Sequence, residues 1–197
     1  NRIEKLYEDS KGNIWAGTLD DGLNLFIPES NSFQRIIPDI NSEYSTRVRA
    51  IFEDKKGNFF IGTRSGLYIH DDFNNAFVPY AYEGHNFSNL SQNSITCNYI
   101  NNFGTLCIGT FSGGVNYTGL NRTEFIHYSA AKNDNHFLLG SNIYAIAEDH
   151  KGNLWIGGDD GLNYLNRTSY TFTYYTANPD DPNSISYNDI KALEVDN

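Results

Sequence analysis

The sequence predicts an all-β fold: a β-propeller fragment of four four-stranded blades plus the first strand of a fifth. The first observation behind this prediction is a repeat, because one pattern recurs at Ile3–Phe26, Val48–Ile69, Ile95–Tyr117 and Ile143–Leu165. The second observation is its period: equivalent turn glycines stand at Gly12, Gly57, Gly104 and Gly152, at steps of 45 to 48 residues. Four short strands at such a period are typical of a propeller blade.

Each copy divides into the same short elements, which are clearest in copy one. Residues 3–8 predict strand one, and a Glu-Asp-x-Lys-Gly-Asn turn follows, in which the glycine takes the position that needs a positive φ. Residues 14–18 predict strand two. After the turn at residues 20–22, residues 23–26 predict strand three and the aromatic stretch at 33–37 predicts strand four. Short runs with no helical period between them indicate an all-β chain.

The four blades are expected at about residues 3–37, 48–80, 94–128 and 142–175, in a single arc over 1–197, with the next blade starting at 184–197. Strands one and two are apolar on both faces, as in a sheet that is buried between two neighbouring sheets.

Seven blades at this period would need roughly 320 residues. We therefore expect a part of a larger ring, cut from a longer chain, with a closed four-bladed ring as the alternative. Exposed blade faces at its ends would favour a homodimer or end-to-end self-association.

Composition excludes several classes of function. The net charge is −10, and the 14 Lys and Arg residues are scattered, which argues against a nucleic-acid partner. No apolar run is long enough for direct membrane insertion. The five histidines lack the spacing of metal ligands, so we expect neither a metal nor a cofactor. Cys97 and Cys107 lie on neighbouring strands, where a disulfide is geometrically awkward and two buried thiols are favoured.

Recurring carboxylates are the first candidates for chemistry. The Glu-Asp pairs at 8–9, 53–54 and 148–149 resemble acid–base dyads, but they recur once per blade at a turn. Since an Asp side chain can accept hydrogen bonds from the amides of its own turn, we expect a structural role. The Asp-Asp pairs at 20–21 and 159–160 lack the spacing of a calcium loop. No nucleophile–base set can be proposed from spacing, so we predict no catalysis by this chain.

The connections between blades are the candidate ligand-binding segments, because they differ from copy to copy. In a propeller they gather on one rim together with the turns between strands two and three. Aromatic faces beside polar groups are what a sugar-binding surface uses. The candidate ligand-binding residues are Tyr44, Arg47, Arg64, Tyr82, His85, Phe111, His136 and Asp159. The alternative for each is ordinary polar loop sequence.

The written-out repeat resembles a known family. Glu-Asp-x-Lys-Gly-Asn-(Ile/Leu)-Trp-(Ile/Ala)-Gly followed by Asp-Asp-Gly-Leu-Asn, in copies one and four, is similar to the two-component regulator propeller repeat. So is the linker Asp-Pro-Asn-Ser-Ile-Ser-Tyr-Asn-Asp-Ile at 181–190, with a looser version at 86–95. Copy two has Phe60 in place of Trp, and copy three has lost Glu-Asp, Lys and Trp.

The resemblance implies a function that residue patterns alone do not give. Such repeats form the periplasmic, extracytoplasmic sensor region of hybrid two-component histidine kinases of the Bacteroidetes type, which detect oligosaccharides and control genes for glycan utilisation. The expected partners are then an oligosaccharide ligand and the remaining blades and kinase parts of the parent chain. Two alternatives stay open: a propeller lyase that uses a rim histidine (His85 or His136) with a divalent metal, and a purely structural or dimerisation scaffold.

Overall fold

The structure, a computed structural model, describes residues 2–72, 74–79, 90–101, 105–118, 125–130 and 137–196. These residues form sixteen β-strands. The strands are β1 Ile3–Glu8, β2 Ile14–Thr18, β3 Leu23–Ile27, β4 Ser32–Ile36, β5 Val48–Glu53, β6 Phe59–Thr63, β7 Leu67–Asp71, β8 Ala76–Pro79, β9 Ile95–Ile100, β10 Leu106–Thr110, β11 Gly114–Thr118, β12 Ile126–Tyr128, β13 Ile143–Glu148, β14 Leu154–Gly158, β15 Leu162–Asn166 and β16 Thr171–Tyr175. Two short 3-10 helices span Pro28–Ser30 and Glu43–Thr46.

The strands make four antiparallel sheets, each with its four strands in chain order. The four four-stranded blades are thus confirmed. Because consecutive strands are neighbours and antiparallel, the turns of each blade lie at two opposite ends of its strands. One end carries the turn between strands one and two and the turn between strands three and four. We call it the hairpin rim. The opposite end carries the turn between strands two and three and the connection to the next blade. We call it the connection rim.

The residues fall into two compact units. The first unit holds β1 to β8 together with Asn93–Asn98, and the second holds residues 90–92 and those from Tyr99 onward. The placement of all blades in one arc stays a prediction.

The second strand of a blade is the most buried. β6 and β10 are buried along their whole length, as expected for sheets covered on both faces. β1 differs from its counterparts, since Leu6 is 64% exposed whereas Ile51, in the same position of β5, is 1% exposed. The exposed blade face that the sequence predicts is therefore present on the first sheet.

Blade stacking explains the glycine that ends strand two. A Cβ on Gly17 would lie 2.7 Å from the carbonyl oxygen of Val48, and one on Gly62 would lie 2.5 Å from Cγ2 of Ile95. Real Cβ atoms do not approach other atoms so closely, so the first residue of the next blade occupies the space above each glycine. The glycine is needed for close approach of successive blades.

The predicted first strand of a fifth blade, at 184–197, is not formed as a strand. Residues 184–196 have no ladder partner; Ile190 donates one backbone hydrogen bond to Gly158 O, at 2.8 Å. Yet Ile190 packs on Gly157, where a Cβ would lie 2.6 Å from its Cγ2. The packing position of a following blade is filled, but a strand also needs a hydrogen-bonded neighbour, and none of the described residues supplies it.

None of the helices among the described residues has the length and apolar character of a membrane span.

Candidate functional site

The aspartates of the Glu-Asp pairs are turn caps, as the sequence predicts. Asp9 Oδ1 accepts hydrogen bonds from the amides of Lys11 (3.0 Å) and Asn13 (2.8 Å). Its Oδ2 accepts from Asn13 Nδ2 and from the indole nitrogen of Trp15, both at 2.8 Å. Burial alone would raise the pKa of Asp9, but the bonds from Trp15, Asn13 and Lys11 outweigh it and lower the pKa. A carboxylate held in its charged form in this way is a poor proton donor.

The same cap recurs with different donors. Asp54 accepts from Lys56 N and Asn58 N at 2.9 Å each, and from Asn58 Nδ2 at 2.7 Å. Copy three replaces the aspartate by Asn101, whose Oδ1 accepts from Thr105 N at 2.9 Å. Copy three also has Thr105 and Cys107 where copy one has the Asn and Trp side-chain donors. Copy three therefore lacks both the carboxylate and the side-chain donors that bond to it in copy one.

Two of the three glutamates, Glu53 and Glu148, have a separate role, which sequence reasoning missed. Glu53 accepts hydrogen bonds from Ser10 N (2.7 Å) and Ser10 Oγ (3.3 Å) in the preceding blade. Glu148 accepts one from Asn101 Nδ2, at 3.3 Å, likewise in the preceding blade. These glutamates join successive blades at the hairpin rim. Glu53 and Glu148 are therefore accounted for by structure.

The Asp-Asp pairs also have structural partners. Asp21 pairs with Arg35 at 3.0 Å, and Asn142 Nδ2 donates to Asp159 Oδ2 at 2.5 Å. Within the described ranges, no group of three or more His, Cys, Asp or Glu side chains could hold a metal ion.

On the connection rim of the first unit, two predicted binding residues come together. The guanidinium carbon of Arg64 lies 4.6 Å from the ring centroid of Tyr44, a cation–π contact. The Tyr44 side chain is 48% exposed. Tyr44 belongs to the connection after the first blade and Arg64 to the strand two–three turn of the second, so the fold joins residues that the sequence separates. A partly exposed aromatic ring beside a cation can hold a ligand by stacking and hydrogen bonding.

Arg47, on the same rim, is held at the strand two–three turn of the first blade. Its Nε donates to Leu19 O at 3.4 Å, and its guanidinium lies 3.9 Å from Asp20. The connection itself is anchored by the fully buried Ser45, whose Oγ donates to Asp39 O at 2.8 Å. The aromatic and cationic side chains are thus presented by a fixed backbone.

The other predicted binding residues belong to the second unit or lie outside the described residues. Phe111, in the strand two–three turn of the third blade, is 46% exposed, and Asp159 is bonded to Asn142 in the second unit. Tyr82, His85 and His136 lie outside the described residues. The role of the whole set in ligand binding stays a prediction.

Arg167 and Tyr170 are residues of the second unit that the sequence analysis passed over. Both lie in the turn between strands three and four of the fourth blade, on the hairpin rim, where no binding residue was predicted. A usable signal was present: the equivalent turn ends in Asn31 in copy one and Asn75 in copy two, but in Tyr170 in copy four.

Comparison with known proteins gives a family match over part of the chain and a fold. A family model described as the two component regulator propeller matches residues 1–20, 45–65 and 138–160, which contain the Glu-Asp-Gly turns or strand-one segments of copies one, two and four. No curated protein is detectably similar to the chain in sequence.

Three solved structures illustrate the fold. The extracellular domain of a hybrid two component system from B. thetaiotaomicron is 23% identical over 90% of this chain, with a TM-score of 0.69. PorZ, a surface component of the type-IX secretion system of Porphyromonas gingivalis, is 17% identical over 97% of the chain, with a TM-score of 0.64. An inactive virginiamycin B lyase from Staphylococcus aureus is 11% identical over 89%, with a TM-score of 0.61.

The chain spans 24% of the first of these proteins, 29% of the second and 55% of the third. At these identities the comparisons show the fold, a β-propeller built from repeated blades.

Proposed function

We propose that this chain, whose repeat matches the two component regulator propeller in three copies, is part of the periplasmic sensor region of a hybrid two-component histidine kinase. In this proposal the chain binds an oligosaccharide-type ligand, or transmits its binding, to control glycan-utilisation genes. Phosphotransfer belongs to kinase parts elsewhere in the parent chain. The chain itself does no catalysis.

The observation that carries the proposal is the repeat, matched in three copies to the regulator family. The geometry supports the non-catalytic part, because Asp9 and Asp54 act as turn caps and Glu53 and Glu148 link successive blades. Because these recurring polar groups already have structural partners, we expect ligand recognition to come from the loops that differ between blades.

The connection rim of the first unit supports a sugar-type ligand. The ring of Tyr44 offers an apolar face to the C–H groups of a sugar, and Arg64 offers hydrogen-bond donors beside it. Arg47 is a further cation on the same rim, at the strand two–three turn of the first blade. Asp20, 76% exposed beside Arg47, adds an acceptor. Donors and acceptors around an aromatic face match a polyhydroxylated ligand better than a purely apolar or anionic one.

A thermal-shift screen tests this function. The 197-residue chain is heated with a panel of oligosaccharides of four to eight residues, from plant and host glycans. At least one should raise the melting temperature, and Arg64→Ala should reduce that shift, because the variant removes both the cation and its contact with Tyr44. Lys11→Ala, an exposed cation on the hairpin rim, is the matched control and should keep the shift.

The proposal fails if no oligosaccharide changes the melting temperature. A shift that Arg64→Ala and Lys11→Ala alter equally would leave binding in place but remove the connection rim as its site.

We further propose that the chain self-associates through the exposed face of β1. Ile3 is 53% exposed and Leu6 64% exposed, although their counterparts Val48 and Ile51 are buried. Exposed apolar side chains on a strand favour packing against the sheet of another molecule.

A further inference from the structure

A cleft lies on the hairpin rim of the second unit, between strands of the third and fourth blades. Its volume is about 180 Å³. Its lining is rich in tyrosine and comprises Tyr117, Tyr128, Gly152, Leu154, Leu165, Arg167, Thr168 and Tyr170. Leu154 and Leu165 are both 1% exposed and form an apolar floor. The cleft therefore combines aromatic walls, an apolar base and a few polar groups.

Arg167 is fixed across the cleft by both blades. Its Nη1 donates to Glu148 Oε2 at 2.7 Å and to Gly152 O at 3.2 Å, and its Nη2 donates to Tyr117 OH at 2.7 Å. The guanidinium carbon also lies 5.2 Å from the centroid of the Tyr117 ring. Since the side chain of Glu148 neutralises the charge of Arg167, the cleft presents fixed donors without a net positive charge.

Tyr170 stands at the mouth of the cleft in a costly backbone conformation. Its φ is +57°, in the left-handed region, and its side chain is 54% exposed. The equivalent turn residues of copies one and two, Asn31 and Asn75, have φ values of +49° and +48°. Asparagine tolerates this region and tyrosine does not favour it, so Tyr170 costs stability that its exposed ring does not regain by burial. Strain of this kind at a non-glycine residue is a pointer to function.

The turn differs from copies one and two at Arg167 and Tyr170, two of its three residues that line the cleft. Arg167 replaces Pro28 of copy one and Asp72 of copy two, just as Tyr170 replaces asparagine. Tyr128, the opposite wall, is held by an edge-on contact with Phe172 at 5.5 Å between ring centroids. The second unit thus has a rigid aromatic wall, a fixed donor and a strained exposed ring in one place.

We propose that this cleft binds a single sugar ring of a glycan. The proposal rests on the proposed function for the class of ligand, and it places a binding site on the rim opposite to the one the sequence predicts. A sugar ring has apolar C–H faces for the tyrosines and hydroxyls for Arg167, Thr168 and the phenol groups. The neutral ion pair disfavours an anion, and the volume lies below the roughly 300–1,000 Å³ of pockets for larger ligands.

Saturation-transfer NMR on the 197-residue chain tests the proposal, with methyl glucoside, galactoside, mannoside and xyloside as probes at millimolar concentration. At least one should receive saturation at its ring protons. Tyr170→Asn restores the residue of copies one and two, so the variant should fold and melt at a higher temperature, yet weaken binding of the sugar at least tenfold. Tyr170→Phe keeps the ring and should bind within about threefold of the unchanged chain.

Matched substitutions separate this site from the connection rim. Tyr187→Asn removes a tyrosine that is 71% exposed and outside the cleft, and should leave binding unchanged. No saturation transfer to any methyl pyranoside, or equal binding by Tyr170→Asn and the unchanged chain, overturns the cleft. If Arg64→Ala abolishes pyranoside binding while Tyr170→Asn does not, the cleft is wrong and the connection-rim site stands.

Discussion

Replacing Asp9 by asparagine should destabilise the first unit more than the same change at Asp54. Both carboxylates cap equivalent turns, and both accept two backbone amides through Oδ1. The difference lies at Oδ2, because Asp9 also accepts the indole N–H of Trp15, whereas copy two has Phe60 at that position.

The magnitude follows from the number of donors that face Oδ2. Asparagine puts an NH2 group there, so Asp9→Asn loses the bonds from Asn13 Nδ2 and Trp15 Nε1, and Asp54→Asn loses only the one from Asn58 Nδ2. Hydrogen bonds to a charged group contribute about 1.5–3 kcal/mol each. The lower figure gives a loss of about 3 kcal/mol for Asp9→Asn and about 1.5 kcal/mol for Asp54→Asn.

Urea unfolding in a Trp155→Phe background measures both losses. The chain has two tryptophans, so Trp15 is then the sole tryptophan, and it reports on the first unit, which contains both aspartates. A difference of about 1.5 kcal/mol corresponds to a midpoint shift of about 0.5 M for a slope near 3 kcal/mol/M. Equal losses for the two variants would refute the role of the indole bond.

Acid unfolding gives an independent check on Asp9. Its pKa is lowered from the ordinary 3.8 in the folded chain, because its hydrogen bonds outweigh the effect of burial. The stabilisation is therefore fully present above the unfolded pKa and is lost as the pH falls through the folded one. The gap in unfolding free energy between the unchanged chain and Asp9→Asn should shrink as the pH falls below 3.8; a constant gap would contradict this.

Three further predictions concern blade stacking, strain and self-association. Gly157→Ala should lower the free energy of unfolding by about 1–3 kcal/mol through overpacking. In a double-mutant cycle of urea unfolding, Ile190→Ala should relieve part of that loss, and strictly additive losses would exclude the contact. Tyr170→Asn should stabilise the second unit by about 1 kcal/mol, and Asn31→Tyr should destabilise the first by a similar amount in the same assay; no change in either would show that the positive φ is not costly. Leu6→Lys should shift the chain from dimer to monomer in sedimentation velocity, and an unchanged sedimentation coefficient would place the self-association elsewhere.

The sequence predicts most of the fold because the blade is a local structure. Strand pairing within a blade joins residues close in the chain, and the turns carry their own signals: Gly12, Gly57 and Gly152 all have φ near +81° as expected. The sequence also identifies the aspartate caps, since their donors lie two and four residues away.

Features that depend on stacking between blades could not be predicted in the same way. The glutamate links join residues more than 40 positions apart, and Arg167 reaches Tyr117 across 50. The first strand of a fifth blade is not confirmed for a related reason: Ile190 fits the repeat and packs on Gly157, but a sequence match does not supply a pairing partner.

The predicted ligand-binding set shows both outcomes. Residue type and loop position predict Tyr44 and Arg64, and the structure brings them into contact. The cleft lies on the hairpin rim, whereas the loop pattern predicts binding residues on the connection rim. Comparing the four strand three–four turns position by position would have singled out Tyr170, the aromatic residue at a place where copies one and two have asparagine.

Isothermal titration of the 197-residue chain with size-fractionated glycan fragments tests the central claim, ligand recognition by a regulator-type propeller, most directly. Our account predicts a saturable heat of binding for at least one fragment class, reduced by Arg64→Ala or by Tyr170→Asn and retained by Lys11→Ala. The absence of heat with every fragment, or binding that all three variants retain unchanged, would contradict it.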